Sequence, residues 1–153
     1  MPPPTEALPP SILFAAPMNL LDPTSGAAQS MQTLLASLAA QGSRAVALQA
    51  QVFDSEQGSQ GVAAAAGQAG LDAHAVLQAQ VQGVEHLMVR TASSQRLEMT
   101  SREEEIFLRR LRSELEFRRP DLVILWGELL LERAVMREAR DQGVPVVFYL
   151  ANG

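Results

Sequence analysis

The chain has 153 residues, 47% of them apolar and 19% charged, with a mean hydropathy near zero. Those values fit a single globular core of ~100–200 residues and disfavour two full-sized domains or a largely disordered chain. Twelve arginines face seventeen carboxylates for a net charge of −5, with two histidines, no lysine and no cysteine. That balance argues against general attraction to nucleic acid and leaves at most peripheral membrane contact. It also excludes disulfides, thiolate metal sites, cysteine nucleophiles and lysine Schiff bases, so neither a metal nor a cofactor is expected.

Five of the nine prolines fall within residues 1–10, which reads as an extended, disordered tail ahead of a domain over 11–153. No secretory signal and no apolar run near the ~20 residues of a membrane span is present, so the expected address is cytoplasmic. Ile12 to Ala16 is a short apolar run ending at Pro17, as in a strand buried on both faces. A turn-rich loop follows to Gly26, with Thr24 or Ser25 able to cap a helix whose apolar stripe is Ala28, Met31, Leu34, Leu35 and Leu38, and Gly42 is placed to stop it. Arg44 to Phe53 reads as a second strand with Val46, Leu48, Ala50 and Val52 on one side and Gln49 and Gln51 on the other.

Residues 54–70 offer only a short helix over 61–69. Two runs, His74 to Val81 and Val84 to Thr91, flank Gln82-Gly83 as a hairpin, one strand of which joins the main sheet. Thr100 with Glu103 and Ser101 with Glu104 form overlapping capping boxes for a helix with Phe107, Leu108, Leu111 and Leu115 inward, ending before Pro120. Asp121 to Gly127 is another apolar strand. A helix from about Glu128 to Gln142 carries Leu131, Ala134, Val135 and Ala139 inward, and Val144 to Leu150 reads as a third strand buried on both faces. Alternating buried strands and one-sided helices predict an α/β fold, a Rossmann-like three-layer sandwich with a mainly parallel sheet. Ligands of such sheets collect beyond the carboxyl ends of the strands, so the loops after Ala16, Gly127 and Leu150 become the candidate sites.

Ser25, Gly26 and Ala27 combine a hydroxyl and a glycine at a helix N-terminus, which suits a phosphate or a sugar hydroxyl, or else Ser25 simply caps the helix and Gly26 lets it pack closely. Trp126, Gly127 and Glu128 can stack on and bind a sugar, or else seal the core edge and stabilise a first helical turn. Asn152 can hold a ligand or shape a turn. His74 and His86, on the hairpin, are read as structural or exposed. Glu103 to Glu105 with Arg109, Arg110 and Arg112 reads as a solvated face of i, i+4 pairs. Asp22 and Asp54 end loops near strand termini but have no identifiable acid–base partner.

Ser11 to Pro17 with Ser25-Gly26-Ala27-Ala28 and Leu38 to Gly42, then Arg119 to Gly127, then Ala139 to Tyr149, together resemble the N-terminal domain of family 4-like glycosyltransferases. The resemblance implies the acceptor-side half of a GT-B hexosyltransferase of bacterial type, in which a nucleotide-sugar donates to a sugar acceptor. Gly26 and its neighbours would lie near the phosphate path, and Trp126, Gly127, Glu128 and Asn152 would line the acceptor side; no catalytic residue is assigned. The family's C-terminal donor-binding domain has no counterpart here, so the isolated chain is expected to be inactive, its partner being that missing domain or a separate donor-binding subunit. Ala151 stands where the family often has histidine. The alternative is a non-catalytic Rossmann-like interaction module or a subunit of a split transferase.

Overall fold

The computed structural model describes residues 10–53, 55–59, 70–71, 76–91, 100–126 and 130–149. Strand β1 (Ser11–Ala15) lies at the centre because both its faces are apolar: Leu13 and Ala15 join one core cluster, Ile12 and Phe14 the other. It pairs in parallel with β2 (Arg44–Ala50) on one side and with β6 (Leu122–Trp126) on the other. Outward from β2 come β5 (Val84–Val89), β4 (Val76–Val81) and β3 (Gly70–Leu71), and outward from β6 comes β7 (Val146–Tyr149). The order β3-β4-β5-β2-β1-β6-β7 is parallel throughout except where β4 runs against β5 and β3.

Among the described residues three α-helices cover this sheet. Helix α1 (Gly26–Ala40) packs Ala28, Met31 and Leu35 on one face. On the opposite face α2 (Ser101–Arg118) buries Phe107, Leu111 and Leu115, and α3 (Leu130–Asp141) buries Val135 and Ala139. Right-handed crossovers that step away from β1 in opposite directions must leave their helices on opposite faces, and these do. The α/β class and the three-layer, Rossmann-like arrangement are as the residue pattern predicts.

Several local expectations change. Both hairpin strands enter the sheet, because β5 adds in parallel to β2 and carries β4 with it; Gln82 (φ +51°) and Gly83 (φ +80°) make the tight turn, whose two positive φ angles match the twist of the flanking strands. Of the two overlapping capping boxes only that of Thr100 and Glu103 is used, with reciprocal bonds of 2.8 and 3.1 Å, since the helix opens at Ser101. Strand β2 has no solvated side: Gln49 is fully buried. Strand β7 is not buried on both faces, because it lies at the sheet edge, where Val147 is 47% exposed. The arginine-rich helix face is only partly solvated. Arg109 pairs with Glu105 in the open, but Arg112 reaches Glu138 of α3, and Arg110 and Arg118 close on the buried Glu114. The proline tail and the short helix over 61–69 lie outside the described residues, apart from Pro10, whose carbonyl accepts from Arg44 N–H.

Candidate functional site

Winding reverses between β1 and β6: α1 leaves the carboxyl end of β1 toward one face, and α3 leaves β6 toward the other. The loop between β1 and α1 forms one wall of that edge. It is unusual for a loop in being mostly buried, with Asn19, Leu20, Leu21, Asp22 and Ser25 all inside. Its backbone is therefore held by side chains. Asn19 Nδ2 donates to Ala50 O (3.1 Å), its Oδ1 accepts from Leu21 N–H (2.9 Å), and its own amide donates to Val52 O. Asp22 Oδ1 accepts from both the amide and the hydroxyl of Thr24, the turn that an aspartate two residues ahead favours.

Ser25 ends the loop as the N-cap, its Oγ accepting from Ala28 N–H at 3.1 Å, while Gly26 lies exposed on the first turn. A Cβ at Gly26 would meet nothing within 4 Å, so the backbone there faces open space. The loop after β2 closes over Asp22. Ser55 donates to Thr24 Oγ1, and Gly58 comes so near that a Cβ would stand 2.6 Å from Phe53 Cβ and 2.8 Å from Asp22 Oδ1. Only glycine allows that approach.

Beneath the loop lies a polar pair in an otherwise apolar layer. Gln49 Oε1 accepts from Leu20 N–H at 2.7 Å, and Nε2 donates to Ala47 O at 3.1 Å and to His86 Nδ1 at 2.9 Å. The backbone partners fix the orientation of the amide, so Nδ1 is the acceptor and the proton sits on Nε2. That nitrogen has no hydrogen-bond partner among the described residues. Burial drives the imidazole pKa down to about 4, so His86 is neutral.

Of the residues singled out from sequence, Ser25, Gly26, Ala27 and Trp126 lie at this one edge. Trp126 ends β6 with only its margin exposed, in the apolar cluster against which Ala27 packs. Gly127, Glu128 and Asn152, with His74 and Asp54, lie outside the described residues. Asn19, Gln49 and Gly58 were not singled out; Gln49 alternates with apolar neighbours and pairs with Gln51 in the pattern of a solvated side. On the α2 face a separate groove of about 560 Å3 runs between α2 and the start of β4, lined by Val76, Arg102, Ile106 and the 85% exposed Phe117 among others, and it holds none of the candidate residues. No group of three metal-ligating side chains, and no helix long and apolar enough to cross a membrane, occurs among the described residues.

Comparison with known proteins overturns the glycosyltransferase resemblance. No family model matches the chain, and no curated protein matches it. Among solved structures it is similar to the macrodomain of Thermus aquaticus DarG, at 12% identity over 94% of this chain and 91% of that one, with a TM-score of 0.42. That neighbour is not a GT-B glycosyltransferase, and the likeness is too slight to carry an argument about ligand or activity. The acceptor-side role, the hexosyl transfer, the nucleotide-sugar donor and the split-transferase alternative thus lose their basis. The reason is physical. The matching segments are what any parallel α/β unit requires: a strand buried on both faces, a glycine such as Gly143 (φ +72°) ending a helix, and a short link into the next strand. They report the fold and not its chemistry.

Proposed function

We propose that this chain is a small-molecule-binding α/β domain whose ligand enters the crevice between the β1–α1 loop and the carboxyl end of β6. The observation that carries this reading is the reversal of winding between β1 and β6, because open sheets of this kind collect ligands where adjacent crossovers part. The open backbone at Gly26, at the positive end of α1, suits an anionic or hydroxyl-bearing group, with Ser25 kept as the cap. The margin of Trp126 offers an apolar contact. The ligand is a small polar molecule and not nucleic acid, in keeping with the net charge of −5, and a cytoplasmic address is proposed with it. No catalytic residue is assigned.

Trp126 is the sole tryptophan, so binding can be read from its emission. A panel of nucleoside phosphates and sugar phosphates, each beside its dephosphorylated counterpart, is titrated into the protein and into Gly26→Val. The expected result is saturable binding that favours the phosphorylated member and weakens about tenfold or more in the variant. Absence of binding across the panel at millimolar concentration, or affinity unchanged in Gly26→Val, overturns the assignment.

A further inference from the structure

Gln49 and His86 form a lock whose key is a single proton. The amide of Gln49 has three partners, and each fixes which end faces it: Leu20 N–H requires the oxygen, Ala47 O requires the nitrogen, and His86 Nδ1 accepts from that same nitrogen. A proton on Nδ1 turns the acceptor into a donor. Gln49 can answer it only by presenting Oε1, which sets oxygen against Ala47 O and Nε2 against Leu20 N–H, so that both backbone bonds are lost. Nor, among the described residues, does this layer offer a group that would accommodate charge. The neighbouring side chains on this face of β2, β4 and β5 are Ala45, Ala47, Leu77, Ala79, Val84 and Met88, and α1 has no ionisable residue. Among the described residues the β1–α1 loop adds one carboxylate, Asp22, already engaged with Thr24.

We propose that His86, acting through Gln49, is a positioning residue for the β1–α1 loop, and that its protonation releases Leu20 and opens the loop while α2 and α3 remain folded. The inference stands whether or not a ligand enters the neighbouring crevice. Its sign follows from the two states: the closed loop holds the imidazole at a pKa of about 4, and the open loop returns it to the ordinary value of 6.5. Opening is therefore constant above pH 6.5, grows as pH falls, and levels off near 4.

The test is amide hydrogen exchange by NMR on the whole chain between pH 7.5 and 4, with the imidazole nitrogens observed in parallel. At neutral pH the ring should carry its proton on Nε2. The Leu20 amide should exchange through an opening smaller than global unfolding, as judged by better-protected Phe107 and Leu111, and its protection factor should fall about tenfold per pH unit below 6.5. In His86→Leu, where Gln49 keeps both backbone bonds, Leu20 protection should not vary with pH over this range. The wild-type measurement decides the matter even if that variant does not fold. Protection of Leu20 that is flat with pH, or that coincides with that of Phe107 and Leu111 at every pH, overturns the proposal.

Discussion

The two faces of one sheet solve the same packing problem with different polar chemistry. On the α2 face charged side chains meet one another, with Glu114 buried and its arginine partners reaching toward the surface. Glu114 accepts from Arg110 Nε (2.9 Å) and from Arg118 Nε, Arg118 also reaches Glu85 of β5 (2.9 Å), and Arg112 joins Glu138 at 2.7 Å. These pairs dock α2 against the sheet and α3. Among the described residues α1 and the strands beneath it set no charged side chain into their shared layer, and the polar atoms of Gln49 and His86 stand inside it, holding a loop and not a helix. The difference teaches that the arginines keep water as an alternative partner even where they close on the buried Glu114, whereas the interior amide and imidazole turn to each other and the backbone.

The contrast can be broken most forcefully with acid. His86 binds its proton less readily folded than unfolded, so its contribution is fully present above pH 6.5 and is lost as pH falls toward 4, a change of about 3 kcal/mol in unfolding free energy. Urea titrations across that interval should show the loss, and His86→Leu should flatten this part of the profile. Gln49→Leu comes next, at about 2 kcal/mol, since it strands Leu20 N–H in the interior; chemical denaturation at pH 7 measures it. Glu114→Ala should cost about 1–2 kcal/mol, because Arg118 keeps Glu85 and Arg110 can turn to solvent. At the small end, Arg109→Ala removes a pair whose two side chains are mostly exposed and should shift stability by less than about 0.5 kcal/mol. If Arg109→Ala matched Gln49→Leu, the distinction between rim and interior would fail.

Most of the architecture could be read from the chain because strands buried on both faces leave continuous apolar runs, as Ile12 to Ala16 and Leu122 to Trp126 do, and because Ser25, Gly42 and the Thr100–Glu103 pair punctuate the helices locally. What could not be read depends on partners far away in sequence. Gln49 alternates with apolar residues as a solvated residue would, and only the return of Leu20 over it, 29 positions distant, makes it interior. Arg112 looks like a member of an i, i+4 series, yet its carboxylate is 26 residues on, in another helix. Val147 sits in an apolar run indistinguishable from that of β1, and position at the sheet margin alone leaves it open to solvent. For the candidate edge, Ser25, Gly26, Ala27 and Trp126 could be found from strand ends, but the glycosyltransferase chemistry attached to them came from fold-level likeness, which the sequence shares with unrelated sheets.

The central place of β1 has a further consequence for biogenesis. Ser11 N–H is bonded to Asp121 Oδ2 across 110 residues of chain, and every parallel contact of β1 with β6 spans a similar interval. At translation rates of ~5–20 residues per second, the nascent strand waits on the order of 5–20 s for its second neighbour, with one apolar border unpaired. Such an interval invites chaperone capture, and ribosome-bound intermediates cut just before residue 122 should be the aggregation-prone ones.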